Sequence, residues 1–265
     1  MASGSKEGLF YFPTNYPTGF WEPESFGLKV EDCYFPTEDG LTLHGWLALS
    51  PGAETCILWS HGNAGNLSDR LENIIRMVAI GVNVFIYDYR GYGRSQGRPE
   101  EDGLYQDGRA AYDYLTSLSW VAPERLFLFG RSLGGAVALD TALSRPLAGL
   151  ILESTFTSAK ELFAHWYPGT APGLLDGFRF PSLCKITRLG VPLLVIHGAY
   201  DERVPLKHGL KLLAAAPGPK EFYRIDRAGH NDTYFIGGQT YFDRIAAFIR
   251  ENSVDIKAGG SRLLI

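Results

Sequence analysis

The chain has 265 residues, 45% of them hydrophobic and 20% charged, with a formal net charge of −4. That length and balance suit one large globular domain with a well-buried core, and the small negative charge gives no global attraction to nucleic acid or anionic lipid. The three cysteines, Cys33, Cys56 and Cys184, lack metal-ligand spacing, and no apolar run approaches the ~20 residues that span a bilayer.

The first residues, Met-Ala-Ser-Gly-Ser-Lys, have no hydrophobic signal core. Residues 1–27 are expected to form an N-terminal leader or extension, 28–255 the domain, and 256–265 a tail. The sparse cysteines fit a reducing compartment, so a cytoplasmic location is expected for this form; an anchor or signal removed upstream is left open, and with it membrane association. Two β-rich runs, 28–35 and 41–49, flank Thr37-Glu38-Asp39-Gly40, whose Asp-Gly pair predicts an antiparallel hairpin. Beyond it, strand-like runs at 55–60, 82–89, 125–129, 147–152 and 191–196 and an extended stretch at 221–225 alternate with helical patterns at 68–80, 102–118, 132–144, 205–215 and 241–251. This alternation predicts an α/β fold with a mostly parallel central sheet and helices on both faces. The stretch 155–189 exceeds a simple crossover, and is expected to form a helix over about 158–166 plus a small cap-like excursion rich in Phe, Trp and Tyr.

Gly130-Arg131-Ser132-Leu133-Gly134 fits the GxSxG pattern. Alone that pattern is weak. Here an apolar strand enters it and a helical pattern leaves it, as a nucleophilic serine on a tight strand-to-helix turn requires. Ser60-His61-Gly62-Asn63-Ala64-Gly65-Asn66 follows an earlier strand. Its glycines let the backbone approach a substrate, so the N–H of Asn63, with that of Leu133 after the nucleophile, is expected to form the oxyanion hole. After Ser132 the acid should end a late strand and the base should follow the last one. Asp201 lies just past the 191–196 strand, and His230 lies in Gly229-His230-Asn231-Asp232 after the 221–225 strand. Ser132, Asp201 and His230 are therefore the expected triad. Glu153, at the end of the 147–152 strand, is the rival acid. His61 precedes the serine and is expected to hold its own loop, and His208, between basic neighbours, is expected on the surface.

Read together, these words resemble the α/β-hydrolase superfamily, and within it the small branch of yeast bud-emergence suppressor homologues and mammalian α/β-hydrolase-domain depalmitoylases. The matching residues are His61 to Asn66, Tyr87-Asp88-Tyr89-Arg90-Gly91-Tyr92-Gly93, Gly130 to Gly135, Glu153-Ser154-Thr155-Phe156-Thr157-Ser158, His197-Gly198 through Asp201 to Val204-Pro205, and Gly229 to Asp232. The resemblance covers roughly residues 28–250 and implies an eight-stranded sheet, the same triad and the same oxyanion donors. The Asp88 to Gly93 word and Arg131 are expected to be structural. The lipidated N-terminal cysteine cluster of the depalmitoylases has no counterpart, since the first cysteine is Cys33.

The expected activity is hydrolysis of a small-molecule carboxylic ester or thioester with a short to medium acyl chain, through an acyl-enzyme on Ser132, with no cofactor, no metal and no nucleic-acid partner. Acyl transfer on the same triad and a non-catalytic ligand-binding protein are the alternatives. Oligomeric state is left open.

Overall fold

In the computed structural model, residues 10–169 and 177–253 are described. Residues 1–9 of the expected 1–27 extension, the middle of the 155–189 excursion and the 256–265 tail fall outside them. The main sheet is built from β2 (Glu31–Pro36), β3 (Thr42–Ala48), β4 (Cys56–Ser60), β6 (Asn83–Tyr87), β7 (Leu126–Arg131), β8 (Gly149–Glu153), β9 (Leu193–Gly198) and β10 (Lys220–Ile225). A two-stranded ladder joins β1 (Phe12–Pro13) to β5 (Ala64–Gly65). The helices are α1 (Leu71–Ala79), α2 (Glu101–Ser117), α3 (Leu133–Ala142), α4 (Ala159–Trp166), α5 (Ser182–Ile186), α6 (Lys207–Ala215) and α7 (Thr233–Asn252).

The order across the sheet is β10-β9-β8-β7-β4-β6-β3-β2, with β2, β3 and β6 antiparallel in turn and the rest parallel. This is the predicted eight-stranded α/β sheet with its N-terminal hairpin. The hairpin turn closes through Thr37 N–H to Leu41 O (2.8 Å), with Gly40 at φ 84°, a conformation that favours glycine.

The strands β4, β6, β7, β8 and β9 are buried along their whole length, which explains their unbroken apolar runs. The strand period of two still sorts their side chains. Leu58, Phe85, Leu128, Leu150 and Val195 enter the core beneath α2, α3 and α6. Trp59, Ile86, Phe129, Ile151 and Ile196 enter the other, beneath α1 and α7.

Among the α-helices, one and part of another escaped the sequence reading, as did the short β1–β5 ladder. The five-residue α5 is too short for a helical period to show. The last helix was predicted over 241–251, yet α7 begins at Thr233 and bends at Gly238 (φ 54°, ψ −144°); the Gly237-Gly238 pair masks its first turn. Residues 10–27, read as an extension, lie against the domain: Phe10 and Tyr11 are buried, and Thr14 N–H donates to Gly65 O (3.0 Å).

Every motif word lies at the carboxyl edge of the parallel strands. Chain leaving β4 forms the oxyanion loop, β7 delivers Ser132, β9 leads to Asp201, and β10 leads to His230. Open α/β sheets place their sites at this edge.

Candidate active site

The chain reverses sharply between β7 and α3, and Ser132 sits at the corner with φ 53° and ψ −116°. A non-glycine residue there carries ~1–3 kcal/mol of strain. Ties on both sides of the residue hold it: its N–H donates to Glu153 O (2.8 Å), and the Thr155 hydroxyl donates to its carbonyl. The small neighbours are required as predicted, since a Cβ on Gly134 would collide with the backbone oxygens of Ser60 and His61. Leu133 opens α3, so its N–H has no intrahelical acceptor.

His230 lies between Ser132 and Asp201. Its Nδ1 is 2.8 Å from Asp201 Oδ2 and its Nε2 is 3.1 Å from Ser132 Oγ. Burial pushes the Asp201 carboxyl upward, but the His230 hydrogen bond and charge, with the Val204 N–H, outweigh it and hold the group below the usual carboxylate range. Its other oxygen accepts the N–H groups of Arg203 (3.0 Å) and Val204 (2.7 Å). An ionised carboxylate only accepts, so His230 Nδ1 carries the proton and Nε2 is left to accept from the serine hydroxyl.

Glu153, the rival acid, is turned elsewhere. It is buried, with Oε1 accepting from Arg131 Nε (3.2 Å) and Thr233 Oγ1 (2.5 Å), and Oε2 from the Tyr241 hydroxyl (2.6 Å). Arg131 therefore bridges Glu153 to the base loop, where its Nη2 donates to His230 O and Asn231 Oδ1 (3.0 Å). That is the structural place expected of it. Asp232 caps its own turn by accepting Gly229 N–H (2.6 Å).

In the oxyanion loop, His61 Nδ1 lies 2.7 Å from Gly62 O, its own carbonyl accepts from Tyr89 (2.7 Å), and its Nε2 faces Asp88 (3.4 Å). It holds the loop and does not reach the serine. Asp88 in turn accepts Leu67 N–H (2.8 Å), while Arg90 spans from Asp107 on α2 (2.9 Å) to Asp39 in the hairpin turn (2.9 Å), so the Asp88 to Gly93 word shapes loops. The Asn63 side chain is engaged at both ends: Nδ2 donates to Phe10 O, and Oδ1 accepts from the Tyr92 hydroxyl (2.9 Å). What Asn63 can offer the cleft is its backbone N–H.

One expectation is corrected. His208, predicted on the surface, has no exposed area. Its basic neighbours Lys207 and Lys211 face outward, whereas His208, Gly209 and Leu212 form the inward stripe of α6. Its Nδ1 lies 2.7 Å from Thr157 Oγ1, and burial pushes its pKa down to about 4. The unfolded chain takes up a proton near the ordinary histidine value of ~6.5, which the fold refuses until about pH 4. The stability that neutral His208 brings is thus complete above ~6.5 and is lost as pH falls toward the folded value. Between pH 7 and pH 5 this linkage removes about 2 kcal/mol. Urea midpoints at the two pH values should differ less in His208→Asn than in the parent protein; equal pH dependence in both would contradict the assignment.

Ser132, Leu133, His230 and Asn63 line one cleft of about 420 Å³. Its apolar wall is Phe10, Phe156, Leu162 and Trp166; its polar wall includes Asp69, Arg70, Arg131, Arg203 and Asn231. Phe10 was missed in the sequence as a site residue. Its ring stacks on Phe178 (4.9 Å), Phe180 (5.4 Å) and Phe163 (5.7 Å), so the N-terminal segment closes the cleft from the side of α4. Among the described residues, no group of three or more His, Cys, Asp and Glu side chains is arranged to hold a metal ion, and no helix is long and apolar enough to cross a membrane.

The sequence profile of the hydrolase family described as serine aminopeptidase S33 matches residues 52–179. An uncharacterized protein of Mycobacterium tuberculosis is 39% identical over 248 residues, covering 93% of this chain and 88% of that protein. Protein bem46 of Schizosaccharomyces pombe is 34% identical over 262 residues, covering 93% and 87%. The chain belongs to the α/β-hydrolase family. Within it, the bem46 match bears out the branch that the motif words resembled. The fold is also that of the Pyrococcus furiosus esterase Pf2001, with a TM-score of 0.77 at 18% identity over 92% of this chain and 99% of that one. The protein is thus a hydrolase of the α/β-hydrolase type.

Proposed function

We propose that the protein hydrolyses carboxylic esters or thioesters of short to medium acyl chain, with Ser132 as nucleophile, His230 as base and then acid, and Asp201 as the group that orients the imidazole. The observation that carries this reading is the unbroken hydrogen-bonded chain from Ser132 Oγ to His230 Nε2 (3.1 Å) and from His230 Nδ1 to Asp201 Oδ2 (2.8 Å). As Ser132 Oγ attacks the carbonyl carbon, its proton passes to His230 Nε2, and the ionised Asp201 stabilises the imidazolium. The carbonyl oxygen, now an oxyanion, lies between the N–H groups of Leu133 and Asn63; one such donor contributes ~3–4 kcal/mol. The tetrahedral intermediate collapses, the alcohol or thiol leaves with the proton from His230, and the acyl group remains on Ser132. Water then repeats the sequence, losing its proton to His230, and frees the acid.

The aromatic wall sets the chain length. Each methylene buried against Phe10, Phe156 and Leu162 contributes ~0.8 kcal/mol, about 4-fold in kcat/KM, until the acyl chain meets the stacked rings. Across p-nitrophenyl acetate, butyrate, hexanoate, octanoate and palmitate, kcat/KM should be highest between acetate and hexanoate and poor for palmitate. A maximum at palmitate would contradict the short pocket. No turnover of any of them, nor of the matching thioesters, would contradict the hydrolase reading itself.

A further inference from the structure

The cleft beside Ser132 is cationic in a protein whose net charge is −4. Three guanidiniums, Arg70, Arg131 and Arg203, line it against one carboxylate, Asp69. Two of these four charges are already committed. Arg131 pairs with the buried Glu153 (3.2 Å), and Asp69 accepts the Asn66 N–H (3.0 Å) to cap the Leu67–Arg70 turn. Arg203 is exposed, where water screens its charge. Arg70 is different. Among the described residues no carboxylate lies within ion-pair distance of it; it donates only through Nη2 to Ala64 O, and its Nε is buried without a partner.

A buried, charged donor with no acceptor is unfavourable unless something else completes it. Arg70 also lies near a like charge. Burial, and next the Arg131 guanidinium, push its pKa down to about 10, which leaves it charged at neutral pH. Both arginines border a side cavity of about 120 Å³, which shares Asp69, Arg70, Arg131 and Asn231 with the main cleft. The other carboxylate there, Glu72, is taken by Arg76 (2.8 Å).

The position says which end of a substrate would reach it. His230 must protonate the leaving group, so the leaving group lies against His230. Arg131 holds the carbonyl of His230 and the side chain of Asn231, and Arg70 borders the same side cavity as Arg131 and Asn231, which puts the arginine pair beside the base loop.

We propose that Arg70, aided by Arg131, forms an anion subsite for the leaving group, so that the preferred substrates are esters or thioesters whose alcohol or thiol part carries a phosphate or carboxylate. This rests on the hydrolase reading above. An oxyanion there would accept from the outer face of the Arg70 guanidinium, where Nη1 has no acceptor among the described residues, and offset the repulsion between the two guanidiniums. A charge-assisted bond of this kind is worth about 10-fold or more in affinity.

The test keeps one acyl group and varies the alcohol: glycerol monobutyrate (neutral), butyrylcholine (cationic), butyryl glycerol 3-phosphate and 3-butyryloxypropanoate. In the parent protein kcat/KM should favour the two anionic esters by about 10-fold over the neutral one, and their ratio distinguishes phosphate from carboxylate recognition. In Arg70→Gln the anionic-to-neutral ratio should fall to near one, and in Arg70→Lys to an intermediate value. The ratio is read within each variant, so a general loss of activity does not mimic the effect. Binding supplies a second readout that needs no turnover: calorimetry of glycerol 3-phosphate with Ser132→Ala, and with the same variant also carrying Arg70→Gln. Equal rates on neutral and anionic esters would overturn the subsite and leave the hydrolase reading standing. No turnover of any ester, with Arg70-dependent binding of glycerol 3-phosphate, would remove the hydrolase reading and keep the subsite. Neither turnover nor binding would overturn both.

Discussion

Ser132→Ala is expected to lower kcat/KM on p-nitrophenyl butyrate by about 10⁴-fold or more, the scale seen when the nucleophile of a serine triad is removed. Without Oγ no acyl-enzyme forms, and only general binding and the oxyanion donors remain to assist water. The fold should persist. The groups that tie down the corner, Ser132 N–H to Glu153 O (2.8 Å) and Thr155 to Ser132 O, are backbone contacts of residue 132 that alanine keeps. Alanine also meets the φ of 53° at no greater strain than serine. Activity should therefore vanish while the urea midpoint stays within the range of a surface substitution. Turnover within a few-fold of the parent protein would show that another group attacks the ester.

Asp201→Asn is expected to lower kcat by about 10⁴-fold through the wrong tautomer. Asparagine can keep its oxygen toward the Arg203 and Val204 N–H groups, which Asp201 Oδ1 now accepts. Its NH₂ then faces His230 Nδ1 and donates to it. The imidazole proton moves to Nε2, which can no longer accept from Ser132. Glu153→Gln should act on stability instead. It removes the charge opposite Arg131 and weakens the bonds from Thr233 and Tyr241, while Ser132, His230 and Asp201 keep their own contacts. Stopped assays and urea midpoints on both variants separate the two effects. A larger loss of kcat in Glu153→Gln than in Asp201→Asn would make Glu153 the acid.

The parts of this site that were legible in the sequence are those whose chemistry needs a fixed local context. Gly130, Ser132 and Gly134 sit at a strand-to-helix corner because only small residues fit there, and that corner is visible as an apolar run, a glycine word and a helical pattern in succession. Asp201 follows a strand buried along its length, visible as a continuous apolar run, and His230 follows the extended edge strand Lys220–Ile225 in the chain order expected of the base. What the sequence hid depends on distant partners. Phe10 reads only as part of an N-terminal extension, because the rings it stacks on come from 163, 178 and 180. Arg70 carries no motif that marks it as a site residue, because Arg131, the like charge beside it, comes from a strand end far away in the chain. His208 reads as exposed because its two lysine neighbours are exposed, although the helical period turns it inward.

The most direct measurement is to label the protein with a fluorophosphonate and locate the adduct by peptide mass spectrometry. The reagent phosphonylates a serine only when a neighbouring base activates it and an oxyanion hole receives the phosphonyl oxygen. The expected result is one adduct, on Ser132, absent from Ser132→Ala and strongly slowed in Asp201→Asn. No labelling of the folded protein, or an adduct on a residue other than Ser132, would contradict Ser132 as the nucleophile of this hydrolase.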